Sequence, residues 1–304
     1  MRIVTLTLNP AYDVHCAAPG FLPDHETTVD VLSRDAGGKG VNIARALAAD
    51  GVPVTAVVAV GEENGGDFAA ALRRDGLDVR LLSVPGRIRE NITLHTGAGR
   101  ETRISFRGFS VGPDFLSALS GVLSDLGDGD ILTLTGSNPS GLTPADLAPL
   151  LSDLRRRGVR LVIDSRSYTL ADLTAAAPFL VKPNEEEIAQ YTGEAVSDRA
   201  AAKIAAASLR AAGIENVMIS LGARGALLAC PAGVFFCPAP AIAPRSTIGA
   251  GDSSIAGFLA ALSRGADAAA CLRTAVAFGS AACLTDGTRP PRAQDIHRLL
   301  SGME

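Results

Sequence analysis

The sequence has 304 residues, 47% of them hydrophobic and 20% charged, with a net charge of -4 at neutral pH; this is enough for one substantial core and too evenly balanced in sign to attract nucleic acid. Its five cysteines are odd in number and form no paired-cysteine motif, which argues against a zinc site or a disulfide framework and for a reducing, cytoplasmic setting. The N-terminus lacks a basic region followed by an apolar signal core, and no apolar run is long enough to span a bilayer, so no membrane partner is expected.

The hydrophobic period alternates between short strand-like runs and Ala/Leu-rich helical spacing, which predicts parallel strands joined by crossover helices in a three-layer α/β/α sandwich. The first run, 3–8, enters an Asn9-Pro10 turn. Asp13 then follows at the carboxyl edge of a strand, where ligands of open α/β sheets bind. A single Asp after a turn is also a common turn former. Segment 15–33 breaks the rhythm. Ala36-Gly37-Gly38-Lys39-Gly40-Val41-Asn42 opens a helix over 41–50. Its glycines permit close backbone contact with a polyol, Asn42 can hydrogen-bond hydroxyls and Lys39 can meet an anion; the alternative is a flexible turn. It is no Walker A loop, because Gly40 follows Lys39 where Ser or Thr should stand.

A strand at 54–60 and a helix at 67–74 precede the second irregular segment, 87–106, whose alternation at Asn91-Ile92-Thr93-Leu94-His95 and Thr102-Arg103-Ile104-Ser105 predicts antiparallel strands. Arg87 and Arg89 fall on one face by strand alternation, with Arg103 and Arg107 nearby, and such a group of guanidinium side chains suits a phosphate. Segments 15–33 and 87–106 thus read as an inserted β-sheet lid on a main domain spanning 1–304. Such a sheet must cover a site or pair with a second copy, through apolar residues such as Val29, Val31, Ile92 and Leu94.

Further on, a helix at 114–126 leads to a strand at 131–135, ended by Gly136-Ser137-Asn138-Pro139. Ser137 can donate to a phosphate or cap the helix at 144–157. Strands at 161–164 and 179–181 follow, and Lys182-Pro183-Asn184 stops the second, with Asn184 placed to cap a helix over 185–191. Beyond a helix at 198–212 and a strand at 217–220, Ser220 to Ala226 forms a Gly-containing turn between strands. Finally Ser246-Thr-Ile-Gly-Ala-Gly-Asp-Ser253 stands before a helix over 252–263, with further helices at 267–284 and 294–300. The free N–H groups of that helix start make an anion site, and Asp252 can serve there as a base toward a hydroxyl or simply as an N-cap.

In this order, Thr5-Leu-Thr-Leu-Asn-Pro-Ala-Tyr-Asp13, Gly37-Gly-Lys-Gly-Val-Asn42, Gly136-Ser137, Val181-Lys-Pro-Asn184, Ser220-Leu-Gly222 and Gly249-Ala-Gly-Asp252 resemble the ribokinase-like (PfkB) carbohydrate kinases over nearly the whole chain. The resemblance is closest to the phosphosugar branch, the 1-phosphofructokinases and tagatose-6-phosphate kinases. It implies a mostly parallel sheet flanked by helices, a β lid and a homodimer through paired lids. It makes Asp252 the catalytic base and Gly249, Ala250 and Gly251 the anion hole. Asp13, Gly38, Lys39 and Asn42 would hold the sugar, with Arg89 and Ser137 at its phosphate. Lys182, Asn184, Glu187, Ser220, Gly222 and Gly225 would line the ATP side, with Gly279 and Ser280 near the adenine. Mg2+ would arrive with ATP, coordinated by phosphates and water.

The implied reaction carries the ATP γ-phosphate to fructose 1-phosphate, giving fructose 1,6-bisphosphate; tagatose 6-phosphate and fructose 6-phosphate are the alternative acceptors. A silent sugar-phosphate or nucleotide sensor is the alternative of another class, against which the intact Gly249-Ala-Gly-Asp252 turn speaks. Two departures bear on the substrate. Asn138 stands where the family's GSLP segment has leucine, and Asp164-Ser-Arg-Ser-Tyr168 replaces a DSSG-like stretch.

Overall fold

The computed structural model describes residues 1–97 and 100–303; Ala98 and Gly99, inside the expected lid segment 87–106, lie outside the described residues. The chain begins with β1 (Ile3–Thr7), β2 (Ala11–Ala17), β3 (Asp30–Gly37), α1 (Lys39–Ala49), β4 (Thr55–Gly61), α2 (Gly65–Arg74) and β5 (Asp78–Val84). It continues through β6 (Arg89–His95), β7 (Glu101–Ser105), α3 (Asp114–Val122), β8 (Ile131–Thr135), α4 (Pro144–Arg156), β9 (Arg160–Asp164), α5 (Leu170–Ala176) and β10 (Leu180–Val181). Last come α6 (Glu185–Thr192), α7 (Arg199–Ala211), β11 (Asn216–Ser220), β12 (Ala226–Cys230), β13 (Gly233–Cys237), α8 (Ala250–Ser263), α9 (Ala268–Ala282) and α10 (Ala293–Ser301).

Nine strands form the main sheet in the order β13-β12-β11-β10-β9-β8-β1-β4-β5. Pairing is parallel from β5 through to β11, and only the β11–β12 and β12–β13 pairs are antiparallel. Strands β1 and β8, Ile-Val-Thr-Leu-Thr and Ile-Leu-Thr-Leu-Thr, are buried along their whole length, as parallel strands covered on both faces must be. Side-chain alternation splits the core. One layer joins the sheet to Phe68, Leu119, Leu147 and Leu209 on α2, α3, α4 and α7. The other joins it to Ile43, Ile255, Phe258, Leu272 and Phe278 on α1, α8 and α9. This is the three-layer arrangement that the sequence predicts, with β5 and the short α5 in addition. Helix α3 ends at Val122, short of the expected 126.

The second sheet has the order β3-β2-β6-β7. Its outer pairs are antiparallel as expected, whereas β2 and β6 run parallel, Ala11 opposite Arg89 through Ala17 opposite His95. Strand β2 begins directly after Pro10, four residues earlier than expected, and β3 extends to Gly37. Asp13 therefore lies on a strand of the lid and not at the edge of a core strand, because the Asn9-Pro10 turn redirects the chain at once. The expected lid-to-lid face also needs correction. Leu94 is buried within the chain, and Val29 and Ile92 pack against the main core. Among the described residues of the lid segments, the large apolar side chains left outside are Leu22, Val31, Leu32, Ile104 and Phe106, with exposures of 58%, 63%, 60%, 43% and 51%.

Helices α8 and α9 approach closely at Gly257, where an added Cβ would stand 2.6 Å from the Thr274 carbonyl oxygen and 2.8 Å from Phe278. Replacing a helical glycine by alanine ordinarily stabilises by about 0.4–1 kcal/mol. Here overpacking reverses the sign, and Gly257→Ala is expected to lower stability by about 1–3 kcal/mol. Gly121→Ala on α3, where the added Cβ meets nothing within 4 Å, should leave stability unchanged or raise it. Denaturant unfolding of the two variants checks the contrast.

Candidate active site

The carboxyl ends of β1, β8 and β9, the start of α8 and the inner face of the lid meet at one cleft. Gly249 caps α8 with a left-handed φ of 78°, which glycine adopts without steric cost. Ala250, Gly251 and Asp252 form the first turn. Asp252 makes no capping hydrogen bond. Instead its buried Oδ2 accepts from Nδ2 of Asn42 at 2.9 Å. The bland alternative for Asp252, an N-cap, is therefore not what the fold uses it for.

Burial pushes the Asp252 carboxyl up to about 6, against the opposing pull of Lys39 and the Asn42 hydrogen bond. Lys39 on α1 donates to Asp164 Oδ2 at 2.8 Å, and the ammonium of Lys182 stands 3.9 Å from Asp164 Oδ1. Burial works to lower the Lys39 pKa, but Asp164 and Asp252 outweigh it and the ammonium stays charged. Burial likewise works to raise the Asp164 carboxyl, and Lys182 and Lys39 together hold it below its ordinary value. Lys182 also lies against the helix start, since a Cβ on Gly251 would come within 2.9 Å of its Nζ.

On the lid side, Asn91 on β6 donates to Asp13 Oδ1 at 3.1 Å across the parallel pair. Burial pushes the Asp13 carboxyl up, opposed by Asn91, Arg103, His15 and Arg89. Oδ1 of both Asn42 and Asn91 is buried with no partner in the protein, so both amides hold acceptors ready for hydroxyl groups. Gly38 precedes α1 as its N-cap.

Arg89 is anchored by donating to the carbonyl oxygens of Phe106 at 3.2 Å and Asn9 at 3.4 Å, leaving Nε buried and unpaired. Ser137 accepts from Nδ2 of Asn9 at 3.1 Å. It does not cap α4, where Thr143 forms the capping box. Arg87 departs from the expected shared face with Arg89. It lies before β6 and pairs with Glu63 on the surface at 3.3 Å. Arg103 and Arg107 are exposed.

Beyond the helix start lies a cavity of about 730 Å³ whose lining includes Asn184, Ser220, Gly222, Gly225, Gly279 and Ser280 together with Ala250 and Gly251. Six of the eight residues expected on the nucleotide side therefore share one wall with the anion hole. The other two lie beside it. Lys182 faces Asp164 and Gly251, and Glu187 accepts from the Asn184 backbone N–H at 3.1 Å and pairs with Arg166. Asn9, Asn91 and Asp164 were not anticipated as site residues. Asn91 carries a faint signal, a polar residue inside an alternating strand, but Asn9 and Asp164 look like ordinary turn and strand-end residues.

A buried carboxyl beside an amide with a free acceptor, next to a cavity headed by free helix N–H groups, is an arrangement suited to phosphoryl transfer onto a hydroxyl. The comparisons with known proteins agree with it. Residues 7–295 match the model of the pfkB family carbohydrate kinases, and the chain belongs to that family. It is 35% identical to a 1-phosphofructokinase of Rhodobacter capsulatus over 302 residues, 98% of this chain and 96% of that protein. It is 36% identical to the 1-phosphofructokinase of Escherichia coli over 263 residues, 85% of this chain and 83% of that one. Among solved structures, phosphofructokinase-2 from Escherichia coli in complex with fructose-6-phosphate superposes with a TM-score of 0.92 at 28% identity, covering 99% of each chain.

Asp252→Asn keeps the shape and the Asn42 contact but removes the proton acceptor. It is expected to lower kcat about 10² to 10⁴-fold with little change in the sugar KM. Stability gives an independent reading. Because the folded carboxyl sits at about 6, above its ordinary 3.8, the native state binds the proton more tightly. Its contribution is full below the unfolded value and lost as pH rises through 6. Wild-type Tm relative to the Asn variant should fall between those two values and stay flat above; a flat difference throughout would mean that Asp252 is not a strained buried acid.

Proposed function

We propose that the protein transfers the γ-phosphoryl group of ATP to fructose 1-phosphate, forming fructose 1,6-bisphosphate and ADP. The observation that carries this reading is the placement of Asp252, buried between hydroxyl-binding amides on one side and the cavity headed by Ala250 and Gly251 on the other. Asp252 takes the proton of the sugar's free primary hydroxyl as its oxygen forms the new bond to the γ-phosphorus. The bond from that phosphorus to the β,γ-bridging oxygen breaks, and ADP leaves with the electron pair. Backbone N–H groups of the α8 first turn, with Lys182 beside them, offset the charge spread over the transferring group. Asp13, Asn42 and Asn91 orient the sugar, and Arg89 and Ser137 take its existing phosphate.

Mg2+ enters this reading with ATP. No cluster of three metal-binding side chains exists among the described residues, so the ion would be held chiefly by phosphate oxygens and water, as Mg2+ commonly is. The Asn184–Glu187 helix start lies on that side and could hold one of the ion's waters. A cytoplasmic setting fits the cysteines, all five of which are free.

An ADP-release assay tests the reading across fructose 1-phosphate, tagatose 6-phosphate, fructose 6-phosphate and free fructose. The highest kcat/KM is expected for fructose 1-phosphate. Turnover of none of them would leave a silent sensor as the better description, and a preference for another of the phosphates would move the assignment within the family. Arg89→Ala is expected to raise KM for the sugar phosphate about tenfold or more, the worth of a charge-assisted phosphate contact, with KM for ATP nearly unchanged. Equal effects on both would mean that Arg89 acts through the fold.

A homodimer through the lids completes the proposal. The exposed Val31, Leu32, Ile104 and Phe106 give each lid an apolar outer surface, and a two-fold contact is the commonest way to cover one. Val31→Asp should yield monomers with weakened sugar affinity. Sedimentation of the wild-type protein as a monomer at micromolar concentration would rule the dimer out.

A further inference from the structure

Asn138 is the residue at which the chain departs from its family's leucine, and its side chain is in an unusual state. The Nδ2 group is buried and finds no partner in the protein. An orphaned buried amide goes uncompensated for the water it has lost, and leucine at this position would carry no such cost.

The surroundings show what the amide awaits. Asn9 donates through Nδ2 to Ser137 Oγ at 3.1 Å and to the Asn138 carbonyl oxygen at 3.4 Å, while its own carbonyl oxygen accepts from Arg89. Asn9 thus ties Asn138 to the anchored guanidinium, whose Nε is another buried donor without a partner. The other departure from the family pattern belongs to the same unit. The Asn138 backbone N–H donates to Ser167 Oγ at 3.1 Å, and the Ser167 N–H donates to Ser165 Oγ at 3.1 Å. The two segments, 29 residues apart, thus meet at the Asn138 backbone, whose position Ser167 fixes.

We propose that Asn138, positioned by Ser167, is a specificity-determining ligand of the substrate's existing phosphate, its Nδ2 sharing the phosphate oxygens with Arg89 Nε. This rests on the sugar-phosphate kinase reading above and adds a recognition element that a leucine cannot supply. A phosphate presents several anionic acceptor oxygens, so it satisfies both orphaned donors at once and with stronger bonds than a neutral hydroxyl gives.

Asn138→Leu is the test, with the free protein, fructose 1-phosphate and ATP each measured. KM for the sugar phosphate is expected to rise about ten- to a hundredfold, the worth of a hydrogen bond to a charged group, with kcat and KM for ATP within about twofold. The Tm of the free variant should equal or exceed that of wild type, since an orphaned donor has been replaced by an apolar group, and the Tm rise produced by fructose 1-phosphate should shrink. Ser167→Ala should shift the sugar-phosphate KM in the same direction by a smaller factor. Unchanged sugar-phosphate KM in an active Asn138→Leu enzyme overturns the inference alone. A lower free-protein Tm with both KM values raised also overturns it, marking Asn138 as structural. If wild type neither turns over nor is stabilised by any ketohexose phosphate, the kinase reading falls and this inference falls with it.

Discussion

The arrangement rests on keeping a carboxylate ionisable where water is largely excluded. Asp252 and Asp164 are both buried acids, and two buried acids so near each other would repel strongly unless compensated. Lys39 and Lys182 supply the compensation, pairing with Asp164 and also pulling on Asp252 from further away. That division matters. Asp164 absorbs the two cations directly and is held ionised, while Asp252 feels them only at a distance and keeps a neutral amide as its sole close partner. One acid is held ionised, and burial leaves the other with its carboxyl pushed up to about 6.

The same economy governs the polar groups around the cleft. Orphaned buried atoms cluster there, on Asn42, Asn91, Arg89 and Asn138. The lid brings two of them. Its parallel β2–β6 pairing sets Asn91 beside Asp13 and starts β6 with Arg89 opposite Ala11, so a sheet of four short strands carries a carboxyl, an amide and a guanidinium to the main sheet's carboxyl edge. Hydrogen-bonding capacity left unused in the free protein is a store of affinity for a ligand of complementary shape.

What could be read from the sequence follows from how local each feature is. The sheet, its crossover helices and the start of α8 were legible because period, glycine placement and capping are written in consecutive residues: Asp252, Lys39 and Asn42 all lie in such runs. Asn91 and Asp164 were not, since their importance comes from a cross-strand register and from a salt bridge spanning 125 residues. The sequence marks Asp13 but not its place in the lid, because a turn signal does not say to which sheet the next strand belongs. Leu94 and Ile92 were assigned to the wrong surface for a related reason: alternation marks two faces without saying which the protein itself covers.

The position of β1 in the main sheet bears on how the chain is made. This strand lies between β4 and β8, with Ile3 paired to Ile131. Because synthesis is vectorial, β1 and β4 emerge well before β8, and one edge of a strand that the finished sheet buries along its whole length stays open for that interval. An unpaired edge of this kind is a template for wrong pairing, and crowding of nascent chains on one message favours aggregation at this stage.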